Sequence, residues 1–256
     1  MKLGLASSAF WLPLSGQKLP DIYHEEAHGD PSFLLEPGWR PLLNGKDMGG
    51  WHSVDGSAHE WFTSRAVVWK RIWNPKYLVA AHEPGDRLIN GDGGKTANLV
   101  SDEKFGSFQL CLEFMTARGS NSGVYLHGLY EVQIFDSFGY SGPLMVGDCG
   151  GIYEREHVGG GSPPSLNASR PPGEWQSFRI WFEAPRFDSA GKKIANAKVW
   201  RVLLNEEVVQ QNVELPGPTV SAMKIPEAPT NPLMLQGDHG PIAFRNIQIK
   251  DFVPQP

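Results

Sequence analysis

The sequence predicts an all-β protein, an antiparallel β-sandwich overlaid by long Gly/Pro-rich loops. Short stretches alternate between apolar and polar residues with a period of two, which puts one face of each strand in a core. No stretch keeps the helical period of 3.6, and no heptad, internal repeat or low-complexity tract occurs. The 29 Gly and 21 Pro among 256 residues punctuate the chain with turns, as many short strands require.

The strands follow in chain order. In "SFQLCLEFMT", Phe108, Leu110, Leu112 and Phe114 share one face, opposite Gln109, Cys111 and Glu113. The segment "NSGVYLHGLYEVQIFDSFG" (121–139) holds apolar Tyr130, Val132 and Ile134 in alternation with Glu131 and Gln133. "QSFRIWFE" sets Phe178, Ile180 and Phe182 against Ser177, Arg179 and Trp181. "AKVWRVLLNEEVVQQNVEL" reads as two strands joined at Asn205–Glu206, a hairpin without the favoured Asn-Gly turn. "PIAFRNIQIK" changes parity between Phe244 and Ile247, which predicts a bulge near Arg245–Asn246. Residues 137–174 and 215–232 are the two long loops, and loops of that length are usually functional or mobile.

A chain of this length buries a sizeable core without staples. One domain is expected over residues 37–252, after an N-terminal extension (1–36) and before a short tail (253–256). Residues 1–16 admit two readings: a secretory signal, which would place the protein in the periplasm or outside the cell, or an irregular extension. No segment has the ~20 apolar residues of a membrane helix. With a net charge of −5 and scattered Lys and Arg, the chain is not built to neutralise phosphates, so nucleic acid is not an expected partner. Cys111 reads as a buried small hydrophobe, although a Cys111–Cys149 bridge is compatible with the composition.

Chemistry concentrates in one segment. Glu131 and Gln133, at i and i+2, share a strand face. Asp136 falls on the other face unless a one-residue bulge at Ile134–Phe135 swings it back beside them. His127 shares parity with Tyr125 just upstream, and aromatic side chains including Tyr153 surround the segment. Carboxylates, amides and aromatic platforms together suit a sugar, whose ring has polar edges and apolar C–H faces.

Six blocks in order carry a family resemblance: "PLLNGKDMGGW" (41–51), "NSGVYLHGLYEVQIFDSFG" (121–139), "GGIYER" (150–155), "PPGEWQSFRIWFEAPRFDSAGKK" (171–193), "NEEVVQQNVELPGPT" (205–219) and "PLMLQGDHGPIAFRNIQI" (232–249). Together they resemble the bacterial 3-keto-disaccharide hydrolase family, which implies a concanavalin-like jelly roll. The chain departs from that pattern at His127, at an inserted Gly237 and at the Asn205–Glu206 turn. The spacing E-x-Q-x-x-D also matches the E-x-D-x-x-E motif of laminarinase-type glucanases. Those enzymes need two carboxylates about 5 Å apart, whereas this chain has Gln133 in the middle and the shorter Asp136 last.

The resemblance implies a reaction on 3-keto-glycosides. A ketone at C3 acidifies the C2–H, a base removes that proton, the enolate expels the C1 substituent, and water adds back. On this basis the expected catalytic residues are Glu131 as base or acid, His127 as its partner, Asp136 as an orienting group and His239 reaching over the rim. Gln133 and Asn121 are expected to hold hydroxyls, Tyr125, Tyr153 and Trp51 to flank the sugar, and Arg245 to support a carboxylate or enolate. No cofactor is certain. A divalent ion held by Glu131, Asp136, His127 and His239 is compatible with their donor types. The alternatives are a non-catalytic carbohydrate-binding module and a laminarinase-like glucanase.

Overall fold

A computed structural model describes residues 32–254; the segment weighed as a signal, residues 1–16, lies outside them. The strands are β1 (Arg40–Pro41), β2 (Trp51–Ser53), β3 (Phe62–Ser64), β4 (Val67–Trp69), β5 (Leu78–Ala80), β6 (Arg87–Ile89), β7 (Leu99–Phe105), β8 (Phe108–Thr116) and β9 (Asn121–Leu126). They continue as β10 (Tyr130–Phe135), β11 (Gln176–Glu183), β12 (Arg186–Phe187), β13 (Lys193–Ala195), β14 (Ala197–Leu204), β15 (Glu207–Leu215), β16 (Asn231–Leu235) and β17 (Ile242–Asp251). An eight-stranded sheet runs β15-β14-β11-β8-β17-β6-β3, with β1 beside the second half of β17, and a five-stranded sheet runs β10-β9-β16-β7-β2. All pairings are antiparallel, and the two sheets stack as a concanavalin-like jelly roll. Among the described residues no helix is long and apolar enough to cross a membrane.

The alternating patterns place the core. Phe108, Leu110, Leu112 and Phe114 of β8 and Phe178, Ile180 and Phe182 of β11 face inward against Val124, Leu126, Tyr130, Val132 and Ile134 of the smaller sheet. Rings meet at 5.1 Å (Phe108–Phe182) and 4.8 Å (Phe114–Phe178), distances at which tilted aromatic pairs gain beyond simple burial. The expected bulge in β17 is present: the register against β8 shifts between Arg245 and Gln248, with Asn246 at φ 49°. As a result Ile242, Phe244, Ile247 and Ile249 all reach the same core. The β14–β15 hairpin turns at Asn205 and Glu206, both at positive φ (51° and 69°), the conformation a two-residue turn needs even without glycine. Cys111 and Cys149 are both buried and free, so the bridge weighed from sequence is not formed.

The two long loops converge on β10. Residues 150–153 lie along its outer edge, with Gln133 N donating to Gly151 O (2.8 Å), Gly150 N to Gln133 O (2.8 Å) and Tyr153 N to Glu131 O (3.2 Å). Gln210 pins that loop, donating from Nε2 to Gly150 O (3.0 Å) and Ser162 O (2.9 Å). The second loop closes over the hairpin end through Thr219 N to Leu129 O and Met223 N to Gly128 O, both 2.9 Å. An edge strand that would otherwise expose its backbone is thereby covered.

Candidate active site

Strand pairing on the outer face of the five-stranded sheet builds an ordered grid. Because Tyr130, Val132 and Ile134 point into the core, Glu131 and Gln133 point away from it. Glu131 stands opposite Tyr125, which stands opposite Met234, which stands opposite Val100. In the next row Gln133 stands opposite Gly123, whose carbonyl accepts the Gln236 N–H at 3.0 Å. Gly123 explains the arrangement. A Cβ there would lie 2.1 Å from Glu131 Oε1, so the carboxyl group occupies the space a side chain would fill.

Glu131 is only 3% exposed, and its pKa is pushed up to about 8. Burial is the main cause and the negative charge of Asp238 adds to it, while a hydrogen bond with the Tyr125 hydroxyl opposes them. Burial also raises the Tyr125 hydroxyl, as does the nearby Glu131 carboxylate. The Tyr125 hydroxyl lies 3.3 Å from Val220 O as well. One hydroxyl proton cannot serve both acceptors. With Glu131 protonated, its O–H donates to Tyr125 and Tyr125 donates to Val220, a short relay leading away from the carboxyl. Thr219 Oγ1 accepts the Glu131 N–H at 3.1 Å and steadies the strand behind it.

On the turn after β16, His239 Nδ1 lies 2.6 Å from Asp238 Oδ1 and 3.3 Å from Gln236 Nε2. The Asp238 and His239 side chains are about half exposed. Asn121 N donates to His239 O at 3.2 Å, which ties this turn to the start of β9. The arrangement can hold a proton on a buried carboxyl and pass one through a phenol, with a half-exposed imidazole on the turn that carries Asp238. A buried titrating carboxyl with shifted affinity for its proton is a mark of functional sites.

The model of the 3-keto-alpha-glucoside-1,2-lyase-like domain matches residues 38–250. The chain belongs to that family. A structure from Parabacteroides distasonis ATCC 8503, named as a candidate glycosyl hydrolase, shares 28% identity over 84% of each chain with a TM-score of 0.59. Another of that description from the same organism shares 18% identity, covers 84% of this chain and 95% of the other, and has a TM-score of 0.54. No curated protein matches. Family and fold make the chain a carbohydrate-active, glycosyl-hydrolase-like protein.

Within this family member the structure gathers some of the expected residues and separates others. Glu131, Gln133, Tyr125 and Asn121 share the outer face through β9–β10 pairing. Tyr153 follows core-facing Ile152 beside β10, close enough to Tyr125 for its phenol to help raise that hydroxyl. The expected bulge at Ile134–Phe135 is absent. Six consecutive pairs, from Tyr130↔Leu126 to Phe135↔Asn121, keep an unbroken register, so no extra residue is available to turn Asp136. Asp136 instead accepts the Gly119 N–H through Oδ2 (2.8 Å) and lines a cleft with Trp69, Arg118 and Phe138.

His127 is also displaced. The strand ends at Leu126, and His127 and Gly128 form the hairpin turn at φ 56° and 65°, so strand parity no longer governs the imidazole. The ring packs edge-on against Phe182 (4.8 Å) in the core, with Nε2 3.0 Å from Gly106 O, and burial pushes its pKa down to about 4. It is not the partner of Glu131. Arg245 lies in the other sheet, where Nε and Nη2 grip Glu113 (2.9 and 2.8 Å) and the guanidinium sits 4.4 Å from the Trp175 ring centroid. Trp51 belongs to the core and donates from Nε1 to Leu42 O (2.8 Å).

Glu131, Asp136, His127 and His239 therefore do not converge on one point, and among the described residues no group of three His, Cys, Asp or Glu side chains is placed to hold a metal ion. Gly123, Gln236 and Asp238 went unassigned from sequence. Their signals were the N-S-G block at 121–123 and the irregular "LQGDHG", where Gly237 passes close to Trp61 and the Ala97 carbonyl.

Proposed function

We propose that the protein cleaves 3-keto-glycosides by removing the C2 proton and eliminating the C1 substituent, after which water adds to the unsaturated ketone. Glu131 takes the C2 proton. The electron pair of the C–H bond passes to the C3 ketone oxygen as an enolate, then returns to expel the substituent at C1. His239, half exposed beside Asp238, protonates the departing oxygen. Tyr125 hydrogen-bonds the Glu131 carboxyl and sets its orientation. Gln133 and Asn121 hold hydroxyls, and Tyr153 flanks the ring.

The observation that carries this reading is the Glu131 carboxyl, buried on the outer face beside Gln133 and the Tyr125–Met234–Val100 cluster and poised near pH 8. A base is most effective when its pKa lies close to the working pH, and such groups typically contribute 10²–10⁴-fold. The glucanase alternative needs two carboxylates about 5 Å apart across a glycosidic bond, and the straight β10 strand sends Asp136 elsewhere.

The deciding experiment is turnover of a 3-keto-glucoside in heavy water. Elimination predicts deuterium at C2 of the product, together with a loss of at least 100-fold in kcat for Glu131→Gln. An unlabelled product would mean direct displacement. Binding without any product would favour the carbohydrate-binding alternative.

A further inference from the structure

Gln133 and Gln236 stand either side of Gly123. Gln133 is its register partner on β10, and Gln236 donates its backbone N–H to the Gly123 carbonyl from the end of β16. Neighbouring strands lie about 4.8 Å apart, so the two backbone positions are roughly 9–10 Å apart, with the glycine gap and the Glu131 carboxyl between them. Both residues are over nine-tenths buried, and the side-chain oxygen of each has no hydrogen-bond partner. Leaving one buried acceptor unsatisfied costs about 1–3 kcal/mol. Two such oxygens flanking one carboxyl group call for a ligand that supplies the missing donors. The last torsion of a glutamine side chain is soft, so each amide can turn its oxygen toward an incoming hydroxyl.

A carboxamide offers an acceptor and two N–H donors side by side. That pairing is complementary to a hydroxyl next to a ketone: the hydroxyl O–H donates to the amide oxygen, and the amide N–H donates to the ketone oxygen. Gln236 Nε2 lies 3.3 Å from His239 Nδ1, whose proton goes to Asp238 Oδ1 at 2.6 Å, so the amide N–H groups are left for a ligand.

We propose that Gln133 and Gln236 form a paired clamp for a ketone flanked by a hydroxyl on each side, Gln133 reading the C2 hydroxyl and Gln236 the C4 hydroxyl. The assignment rests on the 3-keto-glycoside reading above, and it follows from the shared strand. Glu131 and Gln133 both project from β10, so the carbon that loses its proton lies on that side and C4 lies toward β16. Both amides then donate to the same ketone oxygen, where the enolate charge develops. The clamp explains why the site would select an oxidised sugar: an unoxidised ring presents a hydroxyl at C3, and neither N–H would meet a developing charge.

The test compares a 3-keto-glucoside with its 4-deoxy analogue in the parent protein and in Gln236→Leu. The clamp predicts that the parent favours the 4-hydroxy substrate at least tenfold in kcat/KM. Gln236→Leu loses the ketone contact on both substrates but the hydroxyl contact only on the 4-hydroxy one, so its loss in kcat/KM should be at least tenfold larger on the 4-hydroxy substrate, with a parental circular dichroism spectrum showing that the variant folds. A parent that turns over both substrates within threefold of each other, or a variant that loses equally on both, overturns the clamp while leaving the elimination reading intact. A parent that neither binds nor turns over either compound overturns both.

Discussion

A carboxyl that water cannot reach keeps its proton into the neutral range, and Glu131 does so because Gly123 leaves room for it against the sheet. Gly123→Ala would place a methyl group 2.1 Å from the Glu131 oxygen. Glu131 must then swing away, and displacements of about 1 Å at a reacting group can cost 100-fold. We expect Gly123→Ala to lower kcat at least tenfold on a 3-keto-glucoside while remaining folded, and to add little in a Glu131→Gln background. An additive loss in the double variant would show that Gly123 acts independently of the carboxyl. Arg245 gives the opposite expectation. It is bound to Glu113 with both side chains largely buried (13% and 6% exposed) and is stacked on Trp175. Breaking a buried pair typically costs 3–5 kcal/mol, and Asn246 still donates to Glu113 at 2.6 Å. Arg245→Met should therefore destabilise by about 3 kcal/mol in chemical denaturation yet leave kcat/KM within threefold. A larger activity loss would return Arg245 to the reaction.

Among the elements, two hairpins show how backbone conformation overrides side-chain pattern. In β9–β10 the strand pattern extended naturally to His127, but the turn begins one residue after Leu126, and the imidazole drops into the core between the sheets. In β14–β15 the turn places Glu206 at φ 69°, a region costly for a residue with a Cβ. Glu206→Gly would remove that cost, partly offset by the greater freedom of glycine in the unfolded chain. The net gain should be about 0.5–1 kcal/mol, measured as a higher denaturation midpoint with unchanged slope. A lower midpoint would mean that the Glu206 side chain stabilises the turn. The β10 strand carries the other lesson. Acidic residues at i and i+5 suggested a kink, but a kink needs a residue without a partner, and β9 supplies a partner for every position from Tyr130 to Phe135.

For the whole molecule, Glu131 and His127 leave opposite marks on stability against pH. The folded pKa of Glu131 is raised to about 8, so its contribution is complete below the unfolded value near 4.5 and is lost as pH climbs through 8. His127 is lowered to about 4, so its contribution is present above the unfolded value near 6.5 and is lost as pH falls through 4. Between pH 6.5 and 8 only Glu131 of this pair still acts. At about 1.4 kcal/mol per pH unit, the parent should lose about 2 kcal/mol across that window. Glu131→Gln, which has no proton to lose, should not show this loss, so its Tm relative to the parent's should rise by roughly 4–8 °C between pH 6.5 and pH 8. Parallel Tm profiles for the two proteins would mean that Glu131 ionises normally.

The strands, the β17 bulge and the apolar faces were determined locally, because alternation and turn chemistry act over a few neighbouring residues. Glu131 and Gln133 could be placed on one face for the same reason. What only the tertiary structure decided is which groups meet them. Gln236 and Asp238 reach the site from more than a hundred residues away through the pairing of β16 with β9, and Asp136 and His127 leave it because a complete register and a turn dictate their directions. Long-range strand order depends on how two sheets share a core, and no short window of sequence contains that information.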